Sequence, residues 1–401
     1  MSIELLQYKL LKKRIKSEVR YKYYDMKNTT FDFGISTPPD LKFLQEIVGW
    51  CAKAVDSLSD RLQFREFTDD VFDLNTIFGV NNPDILYSSA ILSALICSCS
   101  FIYIAEDVDG FPRLQVIDGT DATGEIEQST GLLKEGYAVL ERNELKLPVL
   151  EAYFTPDYTA YYRNGVLIDA RDNPAPYPLL VPIMFKPDAK RPFGHSRISR
   201  ACMSHVNSAI RTIKRSEISA EFYSFPQRWV TGTDEDVEKM DKWKASMSAM
   251  LQFSKNEDGD DHVKLGQFSQ QSMEPHTAQL RMFAALFAGE TGLTLDDLGF
   301  TTTNPSSEGA IMAAHENLRL TARKAKGTFF TGFLNAGYLA ACLRDRFPYQ
   351  RRQLRYTKGR WYPVFEPDTS MLGAIGDALG KIGQNYPDMV TEERIEDITG
   401  W

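Results

Sequence analysis

Residues Ala90 to Ala105 read AILSALICSCSFIYIA and form the longest apolar stretch of the chain. Ser93, Ser98 and Ser100 interrupt the stretch, and it falls short of the ~18–20 residues that a membrane-spanning helix needs. Its last part, Phe101 to Ile104, is a run typical of a β-strand. We therefore predict a buried helix that runs into a buried strand, and no membrane partner.

Short strand-like runs follow this segment, and turn signals separate them. Asp109-Gly110 and Asn164-Gly165 are dipeptides that favour hairpin turns. The runs are Leu114–Ile117, Tyr137–Glu141, Val149–Phe154, Thr159–Arg163 and Val166–Asp169. Together they predict an antiparallel β region over about residues 101–185.

Helical periodicity dominates the rest of the chain, which makes the predicted fold class α+β. One helix is expected from about Phe43 to Leu58, and another begins at Asn82-Pro83, with Asn82 as its cap. A long helix is expected from Pro305 to about Arg344, with a kink or break at its glycines. Shorter helices are predicted at Pro275–Gly289, Met371–Ile382 and Thr391–Ile398, and a strand at Trp361–Phe365.

A helix with two distinct faces follows Pro192-Phe193-Gly194. At about 100° per residue its apolar residues cluster on one side and its basic residues on the other. The apolar set is Ile198, Cys202, Val206, Ala209, Ile210 and Ile213, and the basic set is Arg197, Arg200, Arg211, Lys214 and Arg215. The pattern fits a helix on a domain surface, or a helix packed against copies of itself with its basic face toward solvent or a ligand.

A short mixed unit spans Phe225 to Met273. It is expected to hold a strand at Gln227–Val230, a helix opened by Thr233 with acidic residues in its first turn, and a hairpin whose turn lies in residues 256–261. That acidic turn does not match the spacing of a calcium-binding loop. Residues Leu293–Thr303 lack periodicity and are predicted to form a loop.

The net charge and the cysteine content exclude some classes of protein. The 401 residues carry a net charge of −8, which argues against a protein that wraps nucleic acid by neutralising its phosphates. The five cysteines are an odd number without a disulfide framework, so a reducing compartment is expected, and the N-terminus has no secretory signal. The basic N-terminal segment from Lys9 to Lys22 is either a solvated helix or an arm that docks a partner.

Motifs for catalysis are absent or broken. The sequence has no phosphate-binding G-x-x-x-x-G-K-[ST] loop and no G-x-S-x-G elbow. His315-Glu316 begins like a zinc-protease motif, but Arg319 stands where the second histidine is required, so His315 is expected to be a hydrogen-bonded structural residue. The neighbours Asp296 and Asp297 are expected to point apart into water. We therefore predict no catalytic residue, no metal, no cofactor and no enzymatic activity.

Four stretches together resemble the portal proteins of siphophages from Gram-positive hosts. They are residues 50–58 (WCAKAVDSL), 192–200 (PFGHSRISR), 226–229 (PQRW) and 304–311 (NPSSEGAI). None is diagnostic alone, since each is a packing or turn signal, but their order along residues 20–400 is much more specific.

The resemblance implies a layout for this chain. Residues 1–192 would be a mixed α/β wing, 193–224 the first stem helix, 225–273 the clip and 274–292 the second stem helix. Residues 293–304 would be a tunnel loop, 305–370 the long kinked helix with the return to the wing, and 371–401 a minimal or truncated helical crown.

The resemblance also implies a function and partners. The family forms a ring, usually of twelve copies, at one capsid vertex of a virion assembled in the host cytoplasm. Double-stranded DNA passes through it, and it contacts the terminase large subunit, a head–tail adaptor, the major capsid protein and scaffold. The tunnel loop would carry Asp296, Asp297, Phe300, Thr301, Thr302, Thr303 and Asn304, and the stem basic face is the arginine and lysine set above.

Two other function classes stay open from the sequence. One is another oligomeric virion protein, such as a capsid or minor head protein. The other is a soluble hydrolase whose site is assembled only in three dimensions. The assembled particle distinguishes the three classes. A portal protein gives rings with a central hole, a capsid protein gives shells or sheets, and a hydrolase gives a monomer or small oligomer with a concave polar pocket.

Overall fold

The computed structural model describes residues 3–29, 45–224, 228–233, 250–254, 264–267, 272–300, 313–365, 369–387 and 390–399. The predicted mixture of helices and strands is confirmed. The helices are α1 (Ile3–Tyr24), α2 (Trp50–Ser59), α3 (Leu74–Val80), α4 (Pro83–Cys97), α5 (Arg200–Ser224), α6 (Glu274–Thr291), α7 (Glu316–Arg344), α8 (Thr369–Asn385) and α9 (Glu392–Thr399). The strands are β1 (Phe64–Thr68), β2 (Cys99–Glu106), β3 (Pro112–Ile117), β4 (Ala122–Ile126), β5 (Leu133–Arg142), β6 (Pro148–Phe154), β7 (Tyr158–Arg163), β8 (Val166–Asp172), β9 (Leu180–Met184), β10 (Arg228–Thr233), β11 (Met250–Ser254), β12 (Lys264–Gln267) and β13 (Lys358–Trp361).

The apolar segment from Ala90 to Ala105 is a buried helix followed at once by a buried strand, as predicted. Helix α4 ends at Cys97 and β2 begins at Cys99. Ser98 joins them with a φ of 90°, which turns the chain sharply. Strand β2 then becomes the middle strand of an antiparallel sheet of order β3-β2-β9.

Both faces of this central sheet are covered. On one face Ser100 donates a hydrogen bond to the carbonyl of Ala90 in α4, at 2.6 Å, and Gly332 of α7 packs against Ile183 of β9. On the other face Tyr103 packs edge-on against Phe154 of a second sheet, with ring centroids 5.5 Å apart. The result is a layered core of helices, central sheet and second sheet.

The second sheet is an antiparallel meander of order β4-β5-β6-β7-β8. Its β7–β8 turn is the predicted Asn164-Gly165, whose φ values of 50° and 79° are the left-handed pair of a type I′ hairpin. Gly110, in the turn between β2 and β3, also has a positive φ of 77°. The antiparallel strands expected between residues 101 and 185 are therefore present, together with β4 and β9, which the sequence patterns did not reveal.

The chain returns to this core after a long excursion. Helix α7 packs its Phe329 ring parallel to Phe185, at 6.2 Å between centroids, and its Phe333 against Tyr87, at 4.7 Å. Strand β13 then pairs antiparallel with β1, from Phe64 with Trp361 to Thr68 with Lys358. Residues far apart in sequence therefore close one continuous core.

The strands of the mixed unit differ from the prediction. Strands β11 and β12 flank residues 256–261, and the sequence predicts that they pair as a hairpin. Instead β10 lies between them, parallel to β11 and antiparallel to β12. The hairpin is therefore wrong: each strand takes its hydrogen bonds from β10. The expected helix after Thr233 and the turn at 256–261 lie outside the described residues.

Several helix boundaries also differ. Helix α2 begins at Trp50, because residues 45–49 are not helical, and the start expected at Phe43 lies outside the described residues. The predicted stem helix begins at Arg200. Asn82 precedes α4 in the left-handed conformation, which asparagine tolerates, and forms no side-chain cap hydrogen bond. Residue 305 lies outside the described part, and α7 runs without a break through its glycines.

Helix α1 turns several of its basic residues inward. Lys9 donates to the carbonyl of Gly124 at 2.5 Å, Lys13 to that of Ala122 at 3.3 Å, and Arg20 to that of Cys97 at 3.1 Å. Burial lowers the pKa of Lys9. Of the two alternatives for this segment, a fully solvated helix is therefore wrong, because α1 is docked on its own chain.

Gly194 is required where the chain leaves the β region for the stem. Its φ is +80°, and a Cβ atom there would lie 2.1 Å from the carbonyl oxygen of Phe185. We predict that Gly194→Ala lowers the free energy of unfolding by at least about 3 kcal/mol, because backbone strain and a clash with main chain add. Gly165→Ala is the matched control: its φ is +79°, but no atom lies within 4 Å, so about 1 kcal/mol is expected. Urea unfolding of both variants measures the difference, and equal losses would contradict the clash.

Candidate functional site

The predicted stem consists of α5 and α6, which pack side by side. At one end Ser199 donates a hydrogen bond to Glu290 Oε1 at 2.8 Å, and further along Thr212 donates to Gln279 Oε1 at 3.3 Å. Residue numbers rise along α5 while they fall along α6, so the two helices are antiparallel. Buried residues of the pair include Cys202, Val206, Ala209 and Ile210 of α5 and Ala284, Phe287 and Ala288 of α6.

Four of the five predicted basic residues share one face of α5. Arg200, Arg211, Lys214 and Arg215 fall within an arc of about 100° and extend over about 22 Å of the helix. Arg200 and Arg215 are exposed, and the other two are partly exposed. This arc lies on the side opposite the buried Cys202, Val206 and Ala209. Positive charge is therefore displayed along one line of the stem.

Arg197 does not belong to that face. It precedes the helix and is buried, with Nε donating to the carbonyl of Ala54 at 3.2 Å and a terminal nitrogen to that of Thr291 at 2.5 Å. Ala54 belongs to α2 and Thr291 is the last residue of α6. The guanidinium thus joins α2 to the end of α6 and to the start of α5. The prediction that Arg197 belongs to the basic face is therefore wrong, because its side chain is buried.

Burial lowers the pKa of Arg197 to about 10. The guanidinium still carries its charge at neutral pH, and it satisfies a carbonyl at the C-terminal end of α6, where helices leave acceptors without intrahelical partners. That end of a helix also carries partial negative charge, which a cation stabilises. Arg197 therefore acts within the chain as a structural clamp.

The turn after α6 holds three of the seven predicted tunnel-loop residues. Asp297 Oδ2 accepts hydrogen bonds from the backbone N and the hydroxyl of Thr294, both at 2.9 Å. Asp296 is exposed beside it in a short 3₁₀ turn. Phe300 is half-buried with its ring edge-on to Trp50 of α2, at 6.4 Å. Thr301, Thr302, Thr303 and Asn304 lie outside the described residues.

His315 faces this turn from the start of α7. Its Nδ1 atom lies 3.7 Å from Asp297 Oδ2, too far for a hydrogen bond. The atom is buried and has no hydrogen-bond partner among the described residues. The expected hydrogen bond of His315 is therefore not formed at Nδ1. Its ring lies 5.9 Å from Phe365.

The cysteine thiols are protected. All five cysteines are free and buried. Burial raises the pKa of the Cys342 thiol to about 11 and also raises those of Cys51, Cys97 and Cys202. Within the described ranges, no three His, Cys, Asp or Glu side chains form a group that could hold a metal ion, and no helix is long and apolar enough to cross a membrane.

Comparison with known proteins identifies two named relatives that match nearly the whole chain. No protein-family model matches the chain. A curated protein named "Portal protein" from Mycobacterium phage D29 is 25% identical over 406 residues, which cover 94% of this chain and 81% of that protein. A second "Portal protein", from Mycobacterium phage L5, is 26% identical over 398 residues, covering 93% of this chain and 79% of that protein.

The resemblance to phage portal proteins is confirmed. It covers nearly the whole chain, as the order of the four stretches suggests. Among solved structures, a chain of the virion of a native gene transfer agent particle is similar with a TM-score of 0.46 and 12% identity, over 88% of this chain and 89% of that one.

The chain also contains a partly buried polar network that the sequence patterns did not indicate. Asp118 Oδ2 accepts hydrogen bonds from the hydroxyls of Tyr21 and Ser93, each at 2.5 Å. Three elements that are separate in sequence meet at this carboxylate: α1, α4 and the end of β3. A single aspartate after a strand is an ordinary turn signal, so no local pattern distinguishes it.

We predict that Arg197→Met destabilises the protein by about 2–3 kcal/mol, because the Thr291 carbonyl loses its partner while remaining buried. Arg200→Met is the control, since Arg200 is exposed at the start of the same helix and should change stability by less than about 0.5 kcal/mol. Guanidinium unfolding curves give both values. Equal, small effects would show that the clamp is not needed.

Proposed function

We propose that this chain is the subunit of a portal ring at one capsid vertex of a virion, and that double-stranded DNA passes through the ring during packaging and ejection. The observation that carries the proposal is the pair of curated relatives named portal protein, which match at least 93% of the chain. A match of that extent spans the β region and helices α5, α6 and α7.

The architecture supports a division of labour within the subunit. The layered core, closed by α7 and the β1–β13 pair, would be the wing. Helices α5 and α6 would be the stem, the β10–β12 sheet the clip, and α8 and α9 a small crown. The clip would meet the terminase large subunit and then the head–tail adaptor, while the wing would contact the major capsid protein and scaffold. The subunit would be non-enzymatic and assembled in the host cytoplasm.

A ring needs side-to-side contacts between stems. Met282 and Leu286 lie one turn apart on the outer side of α6 and are about half-exposed. Apolar side chains on one helix face are available to pack against the stem of a neighbouring copy. A head-to-tail contact of this kind closes into a ring when its rotation divides a full turn.

The residues proposed for the channel lining would bind DNA weakly. Asp296, Asp297 and the threonines at 301–303 offer carboxylates and hydroxyls, and Asn304 an amide, none of which holds phosphates as lysines do. Phe300, packed on Trp50, would fix the base of this segment to α2. Twelve copies at −8 each would give a ring charge of about −100, so the basic face of α5 would be the exception nearest the duplex.

Electron microscopy of the purified chain tests the proposal. We predict rings with a central channel wide enough for a duplex of about 20 Å. Shells or sheets would instead support another virion structural protein, such as a capsid or minor head protein. A monomer at high protein concentration, with a concave polar pocket, would support the hydrolase alternative and overturn the ring.

We predict that the variant Arg211→Gln/Lys214→Gln/Arg215→Gln changes the length or retention of packaged DNA while rings still form, because the lost charges face the duplex. The matched control neutralises three exposed lysines elsewhere, Lys134, Lys190 and Lys358. Assembled particles are analysed by pulsed-field electrophoresis of their DNA at two salt concentrations. Packaging identical to that of the control variant would exclude a role for the basic face.

A further inference from the structure

Strand β8, at the outer edge of the second sheet, exposes apolar residues at its first three positions, next to the hairpin turn. Val166, Leu167 and Ile168 of β8 are 67%, 54% and 53% exposed. In the part of the chain that the structure describes, no strand pairs with the outer edge of β8. An exposed apolar edge strand is a site for association unless something covers it.

The pairing of β8 makes addition of another strand unfavourable. Its register with β7 shifts between Tyr161 and Tyr162, so Ile168 is an extra residue between Leu167 and Asp169. A bulge of this kind bends the strand and brings neighbouring side chains toward one face. The patch formed by Val166, Leu167 and Ile168, here called the β8 patch, is therefore suited to side-chain packing against a helix.

Helix α1 carries a second uncovered apolar surface. Leu5, Tyr8, Leu11 and Ile15 are 48%, 63%, 57% and 60% exposed, and they recur every three or four residues on one side of the helix. We call this set, with Val19 at its end, the α1 stripe. The inward face of α1 is anchored by Leu6 and Leu10, which pack on Tyr137 and Val139 of β5. The stripe therefore points away from its own chain.

The two surfaces lie toward opposite ends of the same sheet. Helix α1 packs on β4 and β5, through the Lys9 bond to Gly124 and the contact with Tyr137. Strand β8 is the far edge of the order β4-β5-β6-β7-β8. A head-to-tail ring contact needs two different complementary surfaces on opposite sides of each subunit, which is the arrangement seen here.

The residues beside the two surfaces carry opposite charges. The β8 patch extends about 7 Å from Val166 to Ile168 within a strand of about 20 Å, and the α1 stripe extends about 21 Å from Leu5 to Val19. Beside the stripe lie the exposed Lys12 and Lys16. Asp169 and Asp172 lie beyond the apolar part of β8, and Asp157 lies close by in the β6–β7 turn. Arg171 forms an ion pair with Asp169, so the other two aspartates leave this end of the strand with a net negative charge.

We propose that the β8 patch of one subunit packs against the α1 stripe of the next, as the wing contact between neighbouring copies of this chain. The occupant of each surface is thus a second copy. The inference rests on the proposed ring, and it adds the residues through which the wings would meet. The apolar residues would form the centre of the contact, with the lysine and aspartate side chains at its rim.

Cysteine cross-linking of the full chain tests the contact. The five native thiols are buried, so introduced cysteines would react first. The double variant Leu11→Cys/Leu167→Cys, treated with a short bismaleimide after ring purification, is expected to give a ladder from dimer up to the closed ring on a denaturing gel. Neither single variant should give the ladder, because a head-to-tail contact does not bring two equal residues together.

A matched double variant, Leu11→Cys/Val108→Cys, places the second cysteine at a fully exposed residue outside the β8 patch and is expected to give no ladder. Rings without a ladder in the Leu11/Leu167 variant would overturn this inference while leaving the proposed function intact. Dimers from either single variant would overturn the head-to-tail arrangement. Monomers at high concentration, without a ladder, would overturn both the ring and the contact.

A second variant pair measures the strength of the contact. Leu11→Asp/Ile15→Asp changes only exposed positions, so its unfolding midpoint should stay close to that of the parent chain. Its rings should dissociate at a protein concentration at least about tenfold higher, because two apolar side chains at the centre of an interface are lost. Val71→Asp/Val108→Asp, at exposed positions outside both surfaces, should leave ring stability unchanged. Equal ring stability in all three proteins would overturn the inference.

Discussion

The structure depends on covering one apolar segment from every side. Helix α4 and strand β2 together are too apolar to face water, and each face needs a different neighbour. The meander sheet covers one face of β2, and α7 completes the cover of the other beside α4. Strands β3 and β9 satisfy the hydrogen bonds at its edges. The segment between β9 and α7, which contains α5, β10–β12 and α6, is therefore an excursion between two elements of this core.

The excursion is tied down where it leaves and returns. Gly194 lets the chain pass close to the carbonyl of Phe185, and a few residues later Arg197 enters the space between α2 and the end of α6. Helices α5 and α6 are thereby fixed to α2 at one point, and Trp50 of α2 packs on Phe287 at 5.7 Å close by. A displacement of the stem would have to rotate about this junction or break it.

Sequence patterns predicted most elements because periodicity is local. The run from Phe101 to Ile104, the Asn164-Gly165 turn and the apolar stripe of α5 all follow from residues within a few positions of one another. Partners distant in sequence carry no such signal, so β1 with β13, and β10 between β11 and β12, were missed. The predicted position of Arg197 was wrong for a related reason. A helical wheel extended to residue 197 assigns it to the basic face, but α5 begins only at Arg200.

The candidate site was predictable in part. Four of five basic residues lie on one face of α5, since they fall within a regular helix. Helix α1 shows the opposite case, because its charge pattern allows either a solvated helix or an arm that docks a partner. Lys9 and Lys13 instead donate to carbonyls of β4, and Arg20 donates to a carbonyl of α4, while the apolar stripe of the helix stays uncovered. Charge alone therefore does not indicate which side of a helix is buried when long side chains can reach main-chain acceptors.

The place of α7 in the core has a consequence for synthesis on the ribosome. Strand β9 ends at Met184 and α7 begins at Glu316, so 132 residue positions separate the end of the sheet from the helix that covers it. At about 5–20 residues per second, the nascent chain holds an incomplete hydrophobic core for roughly 7–26 seconds. During that interval the uncovered face of the central sheet exposes apolar side chains of the kind that chaperones bind, and α5, α6 and β10–β12 are translated before the core that anchors them can close.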